Sequence, residues 1–140
     1  MPLPTEEQII LRDMASSWRD DNAPVNAFRA VRDSGGERCF DAQTFAQVAE
    51  MGWTGTIIPE EYGGSDVGYR SMGVVLEELG RNLVAAPLIG SAVGAASALK
   101  LGGSDAQKSA WLPRIADGSA IGAIAVDESS RYSPGTIRSE

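Results

Sequence analysis

Sixteen consecutive residues, from Val84 to Leu99, carry no charged side chain, while the sequence on either side mixes apolar and charged positions throughout. A stretch of that kind belongs in an interior. Within it Gly90, Gly94 and Ala98 recur every fourth position and share one helical face, while Leu88, Val93 and Leu99 supply bulk. Crossing a bilayer takes about 20 predominantly apolar residues. This stretch is shorter and rich in Gly and Ala, so the expectation is a helix surrounded by other helices and not a membrane span. The nearly bare face has two readings: a surface for close helix packing, or the lining of a slot for a long apolar ligand.

Size and charge narrow the rest. A chain of 140 residues with 43% hydrophobic content can bury one core and is expected to hold one complete domain, not two. Twelve basic against nineteen acidic residues give a net charge of −7 with no basic cluster, which argues against nucleic acid as a partner. The lone Cys39 has no internal disulfide partner, and no charged-then-apolar leader opens the chain, so a reducing cytoplasm is the expected compartment. The absence of histidine removes a Ser-His-Asp triad, a Cys-His pair and the usual zinc sites.

Thr5 with Gln8 has capping-box spacing and opens a helix that ends near Asp21, ahead of Pro24. Leu11, Met14, Ala15 and Trp18 form its apolar stripe, and Arg12, Asp13, Arg19 and Asp20 are expected to face water. A short helix carrying Phe28 and Val31 precedes Gly35. Asp41 is a good N-cap, with Phe40 stapled onto Phe45; Phe45, Val48 and Ala49 are the buried stripe, and Gly52 closes the helix. Trp53 to Ile58 reads as an extended or irregular link, and Pro59 to Gly64 as a loop.

From Tyr69 to Arg81 the spacing of Met72, Val75, Leu76 and Leu79 predicts another helix, with Glu77 and Glu78 toward solvent. Pro87 fits the first turn of the uncharged helix, which Gly102 and Gly103 end. Ser104 with Gln107 caps a further helix whose apolar side is Trp111, Leu112 and Ile115, which Pro113 kinks or tightens and Gly118 stops. Ile121 to Val126 is a six-residue apolar run that reads as a buried strand without neighbours. The expected class is mainly α: an orthogonal bundle of about five helices over 1–118, followed at 119–140 by the first strand of a truncated β domain.

Four groups of residues, in order and in register, resemble the N-terminal helical domain of the acyl-CoA dehydrogenase family. They are Met51-Gly52-Trp53, Ile58-Pro59-Glu60-Glu61-Tyr62-Gly63-Gly64, Glu77-Glu78-Leu79-Gly80, and Gln107-Lys108 with Leu112 through Gly118. The resemblance implies a protein that uses FAD to oxidise the Cα–Cβ bond of an acyl-CoA to a 2-enoyl-CoA and passes electrons to an electron-transfer flavoprotein. It also implies a homo- or hetero-oligomer. The family's catalytic carboxylate lies in a C-terminal domain, so no glutamate of this chain takes that role.

The resemblance also places the first flavin and substrate contacts after the strand, where the family motif has the form Thr-Glu-Pro-x-x-Gly-Ser-Asp. The matching positions run from Asp127 to Pro134. Glu128 agrees and Ser133 falls at the motif serine, but Asp127 replaces the threonine and Pro134 the aspartate. An ionised carboxylate cannot donate a hydrogen bond, which leaves the backbone amides of Val126 and Asp127, with Ser133, as the implied flavin contacts. The run Glu128-Ser129-Ser130-Arg131-Tyr132 is similar to the small-subunit branch typified by pimeloyl-CoA dehydrogenase, whose members pair with a different subunit. Arg131 reads either as a contact to a substrate phosphate or carboxylate or as a solvated loop charge; Ser133 is also near substrate. In the family the uncharged helix borders the acyl tail, so Gly90 and Gly94 imply a roomy acyl site for a long, branched or cyclic chain. The other reading is a non-catalytic partner subunit that keeps the fold while its flavin motif has decayed.

Overall fold

The computed structural model describes residues 3–36 and 38–125. It contains α1 (Glu6–Asn22), α2 (Val25–Asp33), α3 (Ala42–Glu50), α4 (Gly68–Arg81), a π-helical turn (Ile89–Ala95) running directly into α5 (Ala96–Gly102), and α6 (Asp105–Ala116). Two short 3-10 turns, Trp53–Gly55 and Glu60–Tyr62, link α3 to α4.

The capping signals do what their spacing predicts. Thr5 accepts from the Gln8 amide at 3.2 Å while Gln8 Oε1 accepts from the Thr5 amide, and Ser104 with Gln107 repeats the arrangement at α6. The Asp41 carboxylate accepts from the Thr44 N–H at 2.7 Å, a bond that holds its pKa below the ordinary aspartate value. Phe40 meets Phe45 edge-on with ring centroids 5.7 Å apart. Gly52, at φ 76°, supplies the left-handed residue after α3.

Helix α1 packs along α4, and the core runs from Ala15 and Trp18 through Trp53, Ile57 and Ile58 to Met72, Val75 and Leu79, closing on Leu88, Ala92, Leu112 and Ile115. Trp18 and Trp53 meet in a T-shape at 5.4 Å. Trp53 to Ile58, expected as a plain link, is buried at all six positions. The glutamate-rich loop that follows folds back over it. The Gly55 carbonyl accepts from the Ser65 N–H and the Ile58 carbonyl from the Asp66 N–H, both at 3.1 Å. A Cβ on Gly64 would lie 2.0 Å from the Ile58 oxygen, so only glycine permits this approach. The Pro59-to-Gly64 motif is thus a structural plug over buried backbone.

Several expectations are corrected. Arg19 and Glu78, expected in water, are both buried, 8% and 4% exposed, and face one another across α1 and α4. Arg19 Nη1 donates to Glu78 Oε2 at 2.6 Å, and the same guanidinium holds Asp20 and the Ser16 hydroxyl. Each charge is tolerated inside because the other is there. Met14 and Trp111, expected in the core, are 45% and 46% exposed; Trp111 lies under the Arg114 guanidinium at 4.9 Å. The uncharged stretch is not one α-helix from Pro87. Val84 to Pro87 precedes it without helical structure, and the helix begins as a wider turn at Ile89, where the Val93 N–H donates to the Leu88 carbonyl five residues back. Its buried positions are Leu88, Ser91, Ala92 and Ala96, while Gly90 is exposed and Gly94 half-buried. Of the run expected as a strand, Ile121 to Val126, residues 121–125 have no strand pairing among the described residues, and Val126 lies outside them.

Candidate functional site

Several surface clefts lie among the described residues, one of about 810 Å³ between α3 and the segment after α6; two places bear on the expected site. The first is the small-residue face of the π turn. Gly90 is exposed and Gly94 half-buried, and no helix packs on either. What meets them is the segment that leaves α6. A Cβ at Gly90 would have only the Gly122 carbonyl within 4 Å, at 3.8 Å, whereas one at Gly94 would come within 3.3 Å of the Ile89 carbonyl and 3.5 Å of Ile124 Cδ1. The Gly122 N–H donates to Ser91 Oγ at 3.0 Å, and the Ala120 N–H to the Arg114 carbonyl at 2.8 Å. The expected helix packing at this face is therefore replaced by chain packing, with Gly90 left the more open of the two. Open space therefore borders this face only on the Gly90 side.

The second place is a cleft of about 410 Å³ between α1 and the segment that enters α4, with Ile10, Leu11, Met14, Met51 and Val67 on its walls and Glu7 at its rim. Ile10, Met14 and Val67 are 60%, 45% and 44% exposed. Apolar side chains so grouped at a surface make the cleft a candidate place for another molecule. Trp53 borders the cleft, and its indole Nε1 is a buried donor without a hydrogen-bond partner. Sequence spacing counted Met14 as core and so gave no sign of this cleft.

Other polar groups are used structurally. Lys100 Nζ donates to the Ile57 carbonyl at 2.9 Å and pairs with Asp66 at 2.8 Å, pinning the plug to α5. Ser119 donates to Asp117 and lowers its pKa. Among the described residues no group of His, Cys, Asp or Glu has the composition of a metal site. The one buried side-chain donor without a hydrogen-bond partner among the described residues is Trp53 Nε1. Val126, Asp127, Arg131 and Ser133, which the resemblance assigns to flavin and substrate, lie outside the described residues.

Comparison with known proteins gives the same direction. Residues 5–119 match the family model described as acyl-CoA dehydrogenase, N-terminal domain. The chain is 42% identical over 115 residues to (2S)-methylsuccinyl-CoA dehydrogenase of Cereibacter sphaeroides, covering 81% of this chain and 20% of that protein. It is 35% identical over 125 residues to acyl-CoA dehydrogenase IpdE2 of Mycobacterium tuberculosis, covering 89% of this chain and 38% of that protein. Among solved structures, a variant of the steroid ACAD Tcur3481-Tcur3483 superimposes with a TM-score of 0.78 at 32% identity, over 88% of this chain and 33% of that one. This chain thus spans well under half the length of each.

Proposed function

This chain belongs to the acyl-CoA dehydrogenase family, as its N-terminal helical domain, and on that premise we propose that it is the front portion of an FAD-dependent enzyme that oxidises the Cα–Cβ bond of an acyl-CoA to a 2-enoyl-CoA. The observation that carries this reading is the match over residues 5–119, which includes the plug at Pro59 to Gly64 and both flanking helices. In this reading 1–118 is the helical domain and 119–140 opens a β domain. The base comes from a C-terminal portion that the chain does not include, and no side chain described here performs the proton transfer. What the described residues supply is a rigid wall and a fixed crossing for the chain beyond α6.

The flavin contacts assigned to Val126, Asp127 and Ser133, and the substrate contacts assigned to Arg131, Ser133, Gly90 and Gly94, belong to the same reading. So do electron transfer to an electron-transfer flavoprotein, assembly into a homo- or hetero-oligomer, and a cytoplasmic location. No helix among the described residues is long and apolar enough to cross a membrane. The second reading, a non-catalytic subunit of a heteromeric dehydrogenase, is favoured by Asp127 and Pro134 at motif positions where the family has threonine and aspartate.

The whole protein separates the two. Stoichiometric flavin absorbance, bleached by a saturated acyl-CoA, is expected for the enzyme. A flavin-free protein that still assembles with a second subunit supports the partner reading. Gly90→Leu, at the open end of the small-residue face, should raise KM for bulky acyl-CoAs more than for short ones; an equal effect on both removes Gly90 from the acyl site.

A further inference from the structure

The chain leaving α6 does not merely pass the π turn. It is seated there by three separate fits. Gly122 lies so close to the end of the π turn that a Cβ on it would be 2.5 Å from Ala95 Cβ, and that methyl group is too short and rigid to swing aside. Ser91, 2% exposed, turns its hydroxyl oxygen to accept from the Gly122 N–H at 3.0 Å. Ile124 lays its side chain beside Gly94, where a Cβ at position 94 would be in ordinary contact with its Cδ1 at 3.5 Å. A buried hydroxyl needs a partner, and a main-chain amide crossing a helix at this distance needs an acceptor. Each meets the other's requirement.

We propose that Ser91 and Gly122 form a latch that fixes the path by which the chain leaves the helical domain, and that the π turn is the geometry that presents Ser91 to it. The widened turn sets the buried Ser91 on the side from which residue 122 approaches, while Gly90 and Gly94 clear the way for residues 122–124. The latch rests on the reading that a second domain begins after residue 118, since its consequence is the angle at which that domain departs. It is a role for the small-residue face distinct from lining an acyl slot.

Hydrogen–deuterium exchange of the whole protein tests it without reference to flavin or turnover. In the wild type the Gly122 amide is expected to exchange at least ten-fold more slowly than an open chain. Ser91→Ala should speed that exchange by about five-fold or more, the factor that one net hydrogen bond represents, while amides in α4 keep their protection. Ser91→Thr, which retains the hydroxyl, should restore most of it. Gly122→Ala should speed exchange across 120–124 by displacing the segment from Ala95. Open-chain exchange at Gly122 in the wild type overturns the latch, as does a Ser91→Ala protein whose Gly122 exchange is unchanged. Loss of protection throughout α4 as well as at 120–124 also overturns it, because Ser91 would then serve the core alone. A wild-type protein without flavin would refute the proposed enzyme and leave the exchange result to judge the latch.

Discussion

Glu78 sits between two helices with its carboxylate against the guanidinium of a residue 59 positions earlier in the chain. Nothing in the local spacing around Arg19 or Glu78 distinguishes them from neighbours such as Asp13 or Glu77, which do face solvent. A charge is placed inside only when its partner arrives with it, so the pair is a product of tertiary structure. Glu78→Gln keeps the shape, strips the charge and leaves Arg19 with only the exposed Asp20 carboxylate. Its thermal unfolding midpoint is expected to fall by about 5 °C or more, whereas Glu77→Gln on the exposed side should leave it within about 1 °C. Equal midpoints for both variants, measured by calorimetry, would show that the buried pair does not hold α1 to α4.

At the level of the elements, the turn after α4 carries a cost that the sequence conceals. Leu83 has φ 57°, a left-handed conformation that glycine usually occupies at a helix end. The Leu83 N–H donates to the Gly80 carbonyl and the Val84 N–H to the Leu79 carbonyl, both at 3.1 Å, so the helix closes with the usual pair of bonds despite the side chain. The leucine is 52% exposed and contributes little burial. Leu83→Gly is therefore expected to raise stability by up to about 1 kcal/mol in denaturant titration; a loss of stability would mean that the Leu83 side chain packs more than its exposure indicates. Caps and glycine stops were legible because they are local, requiring only residues three or four apart. The left-handed leucine was not, because the route from α4 to the π turn is set by where α1 and α5 stand. The π turn escaped for a related reason: period alone does not separate a helix bonded four residues back from one bonded five back.

For the whole molecule, the apolar residues left outside say as much as those within. Ile10 and Met14 on α1, with Val67 across the cleft, form a surface that the core does not use. Because Met14 is 45% exposed and outside the core, Met14→Glu is expected to leave the thermal unfolding midpoint within about 2 °C, whereas Trp18→Ala, which empties a buried position, should lower it by about 10 °C or more. Equal losses for both, measured by calorimetry, would show that Met14 packs as a core residue.

The sequence by itself determined the helical class, the capped starts of α1, α3 and α6, the inward stripes of α3 and α4, and the family, because hydrophobic period and capping act over a few residues and are written in the local order. Only the tertiary structure decided that Arg19 and Glu78 go inside, that Met14 and Trp111 stay out, and that Gly90 and Gly94 face a crossing chain. Burial at those positions depends on which distant segment arrives to cover them, and no local pattern encodes the neighbour.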